Sequence, residues 1–353
     1  MRYLKKLAKI TLYILTLILL ITLLWGCGGK ANNGQKVADK EQVNPSEKIV
    51  IKFSHVVSED TPKGLAAQRF ADLIGARTGG RVEVQVFPNS TLYKDGEEMT
   101  ALLNGAVQII APSTSKLGDL FPRWQIFDMP YIFQNFDDIN SSMSGSIGSA
   151  LYDDLSRGGI YPLAFWYNGF KQITNSKRPI IHPSDFKGLR FRIMINSTIL
   201  EEQFLQMGAV PVSLRFNEVY EALSGNSIDG QENTTSNIVS QKFYENQPYL
   251  TVSNHGFLGY TVIMNKNFWN SLPPDTRKII TDTFKEVSEW ERVQATLINE
   301  RDMKILSASG KVNIHIQTPE ERDEWKKTFA GMEKKLNDIV GPKLSAELIK
   351  TAD

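Results

Sequence analysis

Residues 159–175 read GIYPLAFWYNGFKQITN. This is one long strand-like stretch, well beyond the common strand length of about 5–6 residues. A strand of that length can leave one domain and enter the next. The sequence on either side supports such a crossing. Before it, KIVIKFSHV (48–56) reads as a strand and TPKGLAAQRFADLIGARTGG (61–80) as a helix. Ala66, Phe70, Leu73 and Ile74 share one helical face, Thr61 suits the N-cap with Pro62 at the first position, and Gly79-Gly80 suits the end. RVEVQVF follows as an alternating strand, KDGEEMTALLNG as a short helix and AVQIIA as another strand. Strands that alternate with helices predict a largely parallel sheet covered on both faces.

After the crossing, FKGLRFRIM (186–194) alternates Leu189, Phe191 and Ile193 with polar neighbours. Side chains on a strand switch faces at each step, so Arg190 and Arg192 share the other face. Two arginines on one face either lie on solvent or line something negative. A helix at about 197–208, a strand AVPVSL, a helix RFNEVYEALSGN and the strand and turn SIDGQEN make a second βαβ series. HGFLGYTVIMN (255–265) is again a strand. Residues 275–308 place Ile280, Phe284, Val287, Trp290, Val293 and Leu297 three or four apart. That predicts a helix of about 30 residues, roughly 45 Å at 1.5 Å per residue, long enough to bridge two domains. Its face is not the strict heptad of a coiled coil. VNIHIQ is a last strand, and TPEERDEWKKTFAGMEKKL a capped terminal helix.

The chain opens MRYLKKLAKI TLYILTLILL ITLLWGCGGK. Arg2, Lys5, Lys6 and Lys9 precede an apolar run from Ile10 to Trp25, short of the roughly 20 residues of a spanning helix. Residues 1–26 read as an export signal. The only cysteine, Cys27, follows in LWGC, which resembles the lipobox of bacterial lipoproteins. That resemblance implies cleavage before Cys27 and its acylation, although Trp25 is unusual at its place in the motif. A plain signal peptide or an uncleaved anchor is the alternative. Residues 27–47 hold almost nothing large and apolar and read as a tether that lets the body stand off a membrane. Removing the four basic residues of 1–26 from the chain's 40 Lys and Arg leaves 36 against 39 Asp and Glu. That balance gives no electrostatic reason to expect nucleic acid.

Catalytic patterns are missing from the sequence. His55, His182, His255 and His315 are not at metal-ligand spacing, and no Gly-x-Ser-x-Gly elbow, Walker loop or dinucleotide fingerprint occurs. Asp229, Glu232 and Glu218 are conceivable paired carboxylates, but nothing in the sequence brings them to one cleft. No enzyme activity, metal or cofactor is expected. What remains is an exported two-domain α/β body, in which a ligand site belongs outside the carboxyl ends of strands and between the domains.

Three spaced strings then carry a family likeness over nearly the whole mature chain. NGFKQITNSKRPIIHPSDFKGLRFRIMINS (168–197), MGAVPVSLRFNEVYEALSGNSIDGQEN (207–233) and FPRWQIFDMPYIF (121–133) resemble the solute-binding proteins of tripartite ATP-independent periplasmic (TRAP) transporters, the dicarboxylate-type branch. The resemblance implies a two-lobed, periplasmic-binding-protein-like α/β fold with crossover strands and a long interdomain helix. On this reading residues 48–170 plus 260–298 form domain I, and 171–259 plus 299–353 domain II. It also implies a carboxylate ligand clamped by Arg192, for which a guanidinium fork is well shaped. Arg190 is then structural or at the rim. Asn233, at the end of DGQEN, corresponds to an asparagine that faces the ligand, and Phe216 to an aromatic pocket wall, with a core role as the alternative. Lys171 stands where the family often has arginine, and as a point charge it cannot make the fork contact; it either meets the ligand or is solvated. Trp166, Tyr167 and Asn168 in the crossover, and Ser113 past AVQIIA, complete the candidates, with Asp95 and Glu97 as weaker ones that also suit a helix cap. The implied partners are a four-carbon dicarboxylate or sugar acid, the TRAP-type permease subunits, and the outer face of the cell membrane or periplasm through the N-terminal lipid. A sensory protein presenting an organic acid to a membrane receptor is the alternative role.

Overall fold

A computed structural model describes residues 48–352; the export signal, Cys27 and the tether fall outside the described residues. The first strands and helices are β1 (Ile49–Ser54), α1 (Pro62–Arg77), β2 (Val82–Phe87), α2 (Glu98–Leu103), β3 (Ile109–Ile110), α3 (Phe136–Ser144), α4 (Ser146–Arg157) and β4 (Ile160–Phe170). The second group is β5 (Gln172–Asn175), β6 (Arg190–Ile193), α5 (Thr198–Gln206), β7 (Val210–Ser213), α6 (Val219–Ser224), β8 (Gly230–Asn233), α7 (Thr235–Ser240) and β9 (Tyr249–Val252). The chain returns through β10 (Phe257–Asn265), α8 (Lys266–Ser271) and α9 (Pro274–Ala308), then ends with β11 (Asn313–Ile316), α10 (Pro319–Thr328), α11 (Met332–Val340) and α12 (Pro342–Ala352).

Two sheets organise these elements, one of five strands in the order β2-β1-β3-β10-β4 and one of six in the order β11-β9-β5-β8-β6-β7. β1 runs parallel to β2 and β3, and β6 parallel to β7 and β8. Each sheet also holds antiparallel pairs, so both are mixed rather than largely parallel. The reason is the crossing itself. β4 pairs antiparallel with β10 in one sheet, and its continuation β5 pairs antiparallel with β9 in the other. The ribbon therefore passes from sheet to sheet twice, at Lys171 and between Val252 and Phe257. Lys171 N donates to Gly256 O at 2.7 Å and holds the two passages together. A Cβ on Gly256 would sit 2.6 Å from the Lys171 Cε, so a larger residue there would force the end of the lysine side chain to shift.

Local signals set the elements as the sequence predicts. The Thr61 hydroxyl accepts from Gly64 N, Pro62 opens α1, and Gly79 and Gly80 take positive φ beyond its end. Ile51, Phe53, Phe70 and Ile74 are wholly buried, with Phe70 stacked on Phe284 of α9 at 3.9 Å between centroids. Burying each such side chain is worth about 1.5–3 kcal/mol.

The long helix departs from its predicted face. α9 has 35 residues, about 52 Å at 1.5 Å per residue. Its buried line runs Ile280, Phe284, Val287, Glu291, Ala295, Ile298, Asp302 and Leu306, while Val293 is 55% and Leu297 52% exposed. The face turns because α9 leaves α1 and runs over β4 to α7, where a small residue and a polar one suit the contact. Glu291 accepts there from Tyr167 N at 3.0 Å. The predicted terminal helix is also divided. α10 keeps its capping box of Thr318 and Glu321, but the chain turns through Gly331 into α11, and α12 follows Gly341. α11 packs on the turn Pro122–Asp128 and on α5, and α12 on α3 and α4.

Candidate ligand-binding cleft

Arg192 is the third residue of β6, and the strand's alternation sends its side chain away from Phe191 and Ile193. That direction leads to the junction of the two sheets, and only 1% of the residue is exposed. Nε and Nη2 donate to the Leu214 carbonyl at 3.1 and 3.0 Å. Among the described residues no carboxylate lies within ion-pair distance of the guanidinium. Burial lowers its pKa to about 10, against the opposing pull of Asp95, Glu232 and Glu218 nearby. An interior charge with no counter-ion is costly, and a ligand carboxylate would remove the cost.

Arg190, two residues away, is in the opposite situation. Its Nε and Nη2 hold both oxygens of Asp229, at 3.1 and 2.9 Å, and Nη2 also reaches Asn226 O. These bonds hold the Asp229 pKa down to about 2. Arg190 is a structural tie at the surface, and Asp229 is accounted for.

The guanidinium of Arg192 borders a small, tight hollow between the sheets, with free space for about one water molecule. Arg192, Met194, Phe216, Asn233 and Asn237 wall it from the second sheet and its helices. Val56, Val57, Ser113 and Lys116 wall it from the first, and Leu258 and Tyr260 come from β10. Asn233 Oδ1 accepts from Thr234 N and from Asn237 Nδ2, so these bonds leave its Nδ2 unused. Asn237 Oδ1 is buried without a partner. The Phe216 ring stands edge-on to Phe243, and its N–H donates to Asp95 Oδ2 at 2.8 Å across the gap. Ser197 Oγ likewise donates to Asp128 Oδ2 at 2.7 Å, a second tie between the two halves. A larger groove of about 740 Å³ beside Tyr167, Val293 and Leu297 contains no buried unpaired charge.

The other candidates lie elsewhere. Lys171 is wholly buried in the passage between sheets and paired with Glu232 Oε1. Glu232 Oε2 meets His255 Nε2 at 2.7 Å and accepts from Gln203 Nε2 at 3.2 Å. Burial would raise the Glu232 pKa, but Lys171 and His255 hold it well below the usual range. Lys171 is thus neither in the hollow nor solvated. Trp166 packs between Phe53 and Phe284 and donates Nε1–H to Ser288. Tyr167 lies among Phe136, Phe165 and Phe257. Asn168 stands one layer behind the hollow, donating Nδ2–H to the Tyr260 hydroxyl and accepting from Ser236. Asp95 is buried and paired with Lys116, whereas Glu97 is about half exposed near Arg215. Glu218 caps its own turn by accepting from Arg215 N, so Asp229, Glu232 and Glu218 share no cleft.

Sequence reading missed Lys116, Met194, Asn237 and Tyr260. Lys116 sits three residues past Ser113 at the same strand end, and Asn237 lies one helical turn past Asn233, so both were within reach of the signals that named their neighbours. Among the described residues no group of three or more His, Cys, Asp or Glu is placed to hold a metal ion, and no helix is long and apolar enough to cross a membrane.

Known proteins share this fold. Residues 53–337 match the family described as bacterial extracellular solute-binding protein, family 7 (DctP). The chain is 44% identical over 318 residues to the C4-dicarboxylate-binding protein DctB of Bacillus subtilis (strain 168), covering 90% of this chain and 91% of that protein. A TRAP periplasmic solute-binding protein of Sulfurospirillum deleyianum, solved with bound succinate, superposes with a TM-score of 0.83 at 42% identity, covering 86% of this chain and 98% of that one. The sugar acid binding protein DctPAm of Advenella mimigardefordensis, in complex with galactonate, gives a TM-score of 0.83 at 29% identity, covering 87% and 98%. The chain therefore belongs to family 7 of the bacterial extracellular solute-binding proteins, the DctP-like solute-binding proteins of TRAP transporters, a binding family and not an enzyme family.

Proposed function

We propose that this protein is exported, captures a C4-dicarboxylate in the hollow and delivers it to a TRAP-type secondary transporter. The observation that carries the reading is Arg192, an interior cation with no carboxylate partner beside a small hollow. A guanidinium fork binds a carboxylate through two parallel hydrogen bonds. The names of the relatives favour a dicarboxylate over a sugar acid: the B. subtilis protein is called C4-dicarboxylate-binding and the S. deleyianum structure holds succinate, both at over 40% identity, while the galactonate complex is at 29%. Asn233, Phe216 and Ser113 complete the ligand's surroundings on this reading, with Lys171 serving the hinge. Residues 48–170 plus 260–298 and 171–259 plus 299–353 act as two lobes, and the ligand stabilises their closed arrangement because it touches both.

The reading extends to the N-terminus. Residues 1–26 direct export, Cys27 is acylated, and 27–47 tether the body to the outer face of the membrane or within the periplasm, where the closed form docks on the permease subunits. Calorimetric titration of the soluble body with succinate, L-malate and galactonate tests the binding claim. Succinate or malate is expected to bind one to one, and saturation at about 100 times Kd to add about 2.7 kcal/mol of stability. Absence of heat and of any thermal shift with both dicarboxylates rejects it. Labelled palmitate is expected on the full chain and to be lost in Cys27→Ser; label retained in that variant rejects the anchor.

A further inference from the structure

Arg192 accounts for one end of a dicarboxylate. The other end needs a second cation, and Lys171, where the sequence suggests one, is taken up by Glu232. The hollow has another. Lys116 lies in the tight turn Thr114–Leu117 that follows β3, on the first sheet's side of the gap. Its side chain is 9% exposed, and Nζ pairs with Asp95 Oδ1 at 2.6 Å. Asp95 is wholly buried, and its second oxygen is occupied by Phe216 N. An ammonium has three donors. Asp95 takes one, and the described residues accept no other hydrogen bond from Lys116 Nζ.

Direct contacts do not pair these charges off. Arg192 and Lys116 are the two cations in the walls of the hollow, and Asp95 is the one carboxylate within ion-pair distance of either, with Glu218 and Glu232 farther from Arg192 and Glu98 farther from Lys116. Asp95 also lies on Lys116's side of the gap, so Lys116 stays where Asp95 fixes it. An ammonium held in place, nearly buried and with unspent donors is suited to take an anion at low ordering cost.

We infer that Lys116 binds the second carboxylate of the ligand, so that a dianion spans the cleft with one end on Arg192 and the other on Lys116. The inference rests on the dicarboxylate reading above and deepens it. It makes Lys116 the residue that separates dicarboxylates from monocarboxylates of equal length, since a neutral far end offers the ammonium no opposite charge and at most a weaker hydrogen bond. It also places the two anchors on opposite sides of the gap, so that only a ligand charged at both ends pulls the sides together.

The test titrates the wild type and Lys116→Gln with succinate and with succinamate, in which one carboxylate is replaced by a carboxamide. The wild type is expected to prefer succinate by at least about thirtyfold, the loss that accompanies an unpaired partner of a buried charge. In Lys116→Gln succinate weakens by a similar factor and the preference falls towards unity, while Lys116→Arg keeps a clear preference. Because Lys116→Gln bares Asp95, the double variant Lys116→Gln with Asp95→Asn repeats the measurement with the pair removed together. A folded glutamine variant, single or double, that keeps the wild-type preference overturns the assignment while leaving dicarboxylate binding intact. A wild type that binds neither compound overturns both the assignment and the reading beneath it.

Discussion

Two interior cations, Lys171 and Arg192, differ in what the fold supplies around them. Lys171 lies where the chain passes between sheets, paired with Glu232, which in turn holds His255 and Gln203. His255 is completed by Ser253 at its other nitrogen, at 2.7 Å. The Lys171 ammonium, both oxygens of Glu232 and both ring nitrogens of His255 have partners supplied by the fold. Arg192 is as deeply buried and receives only a carbonyl oxygen. Burying a charge is affordable when its counter-charge is buried with it, and costly otherwise. The cluster at the passage between the sheets meets that condition with residues of the chain, whereas Arg192 beside the hollow does not.

The sharpest way to break this contrast is to remove each cation in turn. Arg192→Ala is expected to weaken dicarboxylate binding by at least about 10²-fold, from the 3–5 kcal/mol that a broken buried pair costs, with Arg192→Lys losing most of it. The ligand-free protein loses the bonds to the Leu214 carbonyl but no ion pair, so its stability should fall less than in a variant that breaks a buried ion pair. Calorimetry and a melting curve on one preparation check both halves.

Lys171→Met should do the reverse. It leaves Glu232 Oε1 without its ammonium in the interior, with only Oε2 still held by His255 and Gln203, and urea unfolding should show a loss of about 3–5 kcal/mol. Dicarboxylate affinity, measured on the fraction that stays folded, should change much less than in Arg192→Ala. Equal loss of affinity in the two variants would erase the distinction between hinge and hollow.

The tie between Arg190 and Asp229 gives a third, smaller contrast. Arg190→Met should cost little stability, because the arginine is solvent-exposed and solvent screens the pair. The same pair has a pH signature. The Asp229 pKa is depressed from 3.8 to about 2, chiefly by its hydrogen bond from Arg190. The stability it contributes is therefore present above pH 3.8 and lost as pH falls from 3.8 towards 2. Asp229→Asn should flatten that part of the stability profile, and an unchanged slope there would count against the tie.

Much of this was legible before any coordinates. Thr61-Pro62 and the Thr318–Glu321 box announce helix starts because caps are local. Strand alternation put Arg192 opposite Phe191 and Ile193 because a strand's period leaves no other choice. The misplaced residues depend on non-local facts. Trp166, Tyr167 and Asn168 sit on a strand buried on both faces, where alternation does not say which face meets the hollow. The second half of α9 buries Glu291 and Asp302 and exposes Val293 and Leu297, so a hydrophobic stripe alone points the wrong way. Lys171 looked like a site residue because the sequence does not show that Glu232, far along the chain, comes to meet it. Lys116 lies in a turn with no period to mark it.

A crystal structure of the protein with succinate tests the central claim most directly. A succinate carboxylate held by both terminal nitrogens, or by Nε and one of them, of the Arg192 guanidinium at about 2.7–2.9 Å is the predicted result. Succinate bound elsewhere, with Arg192 still holding nothing but the Leu214 carbonyl, would contradict it.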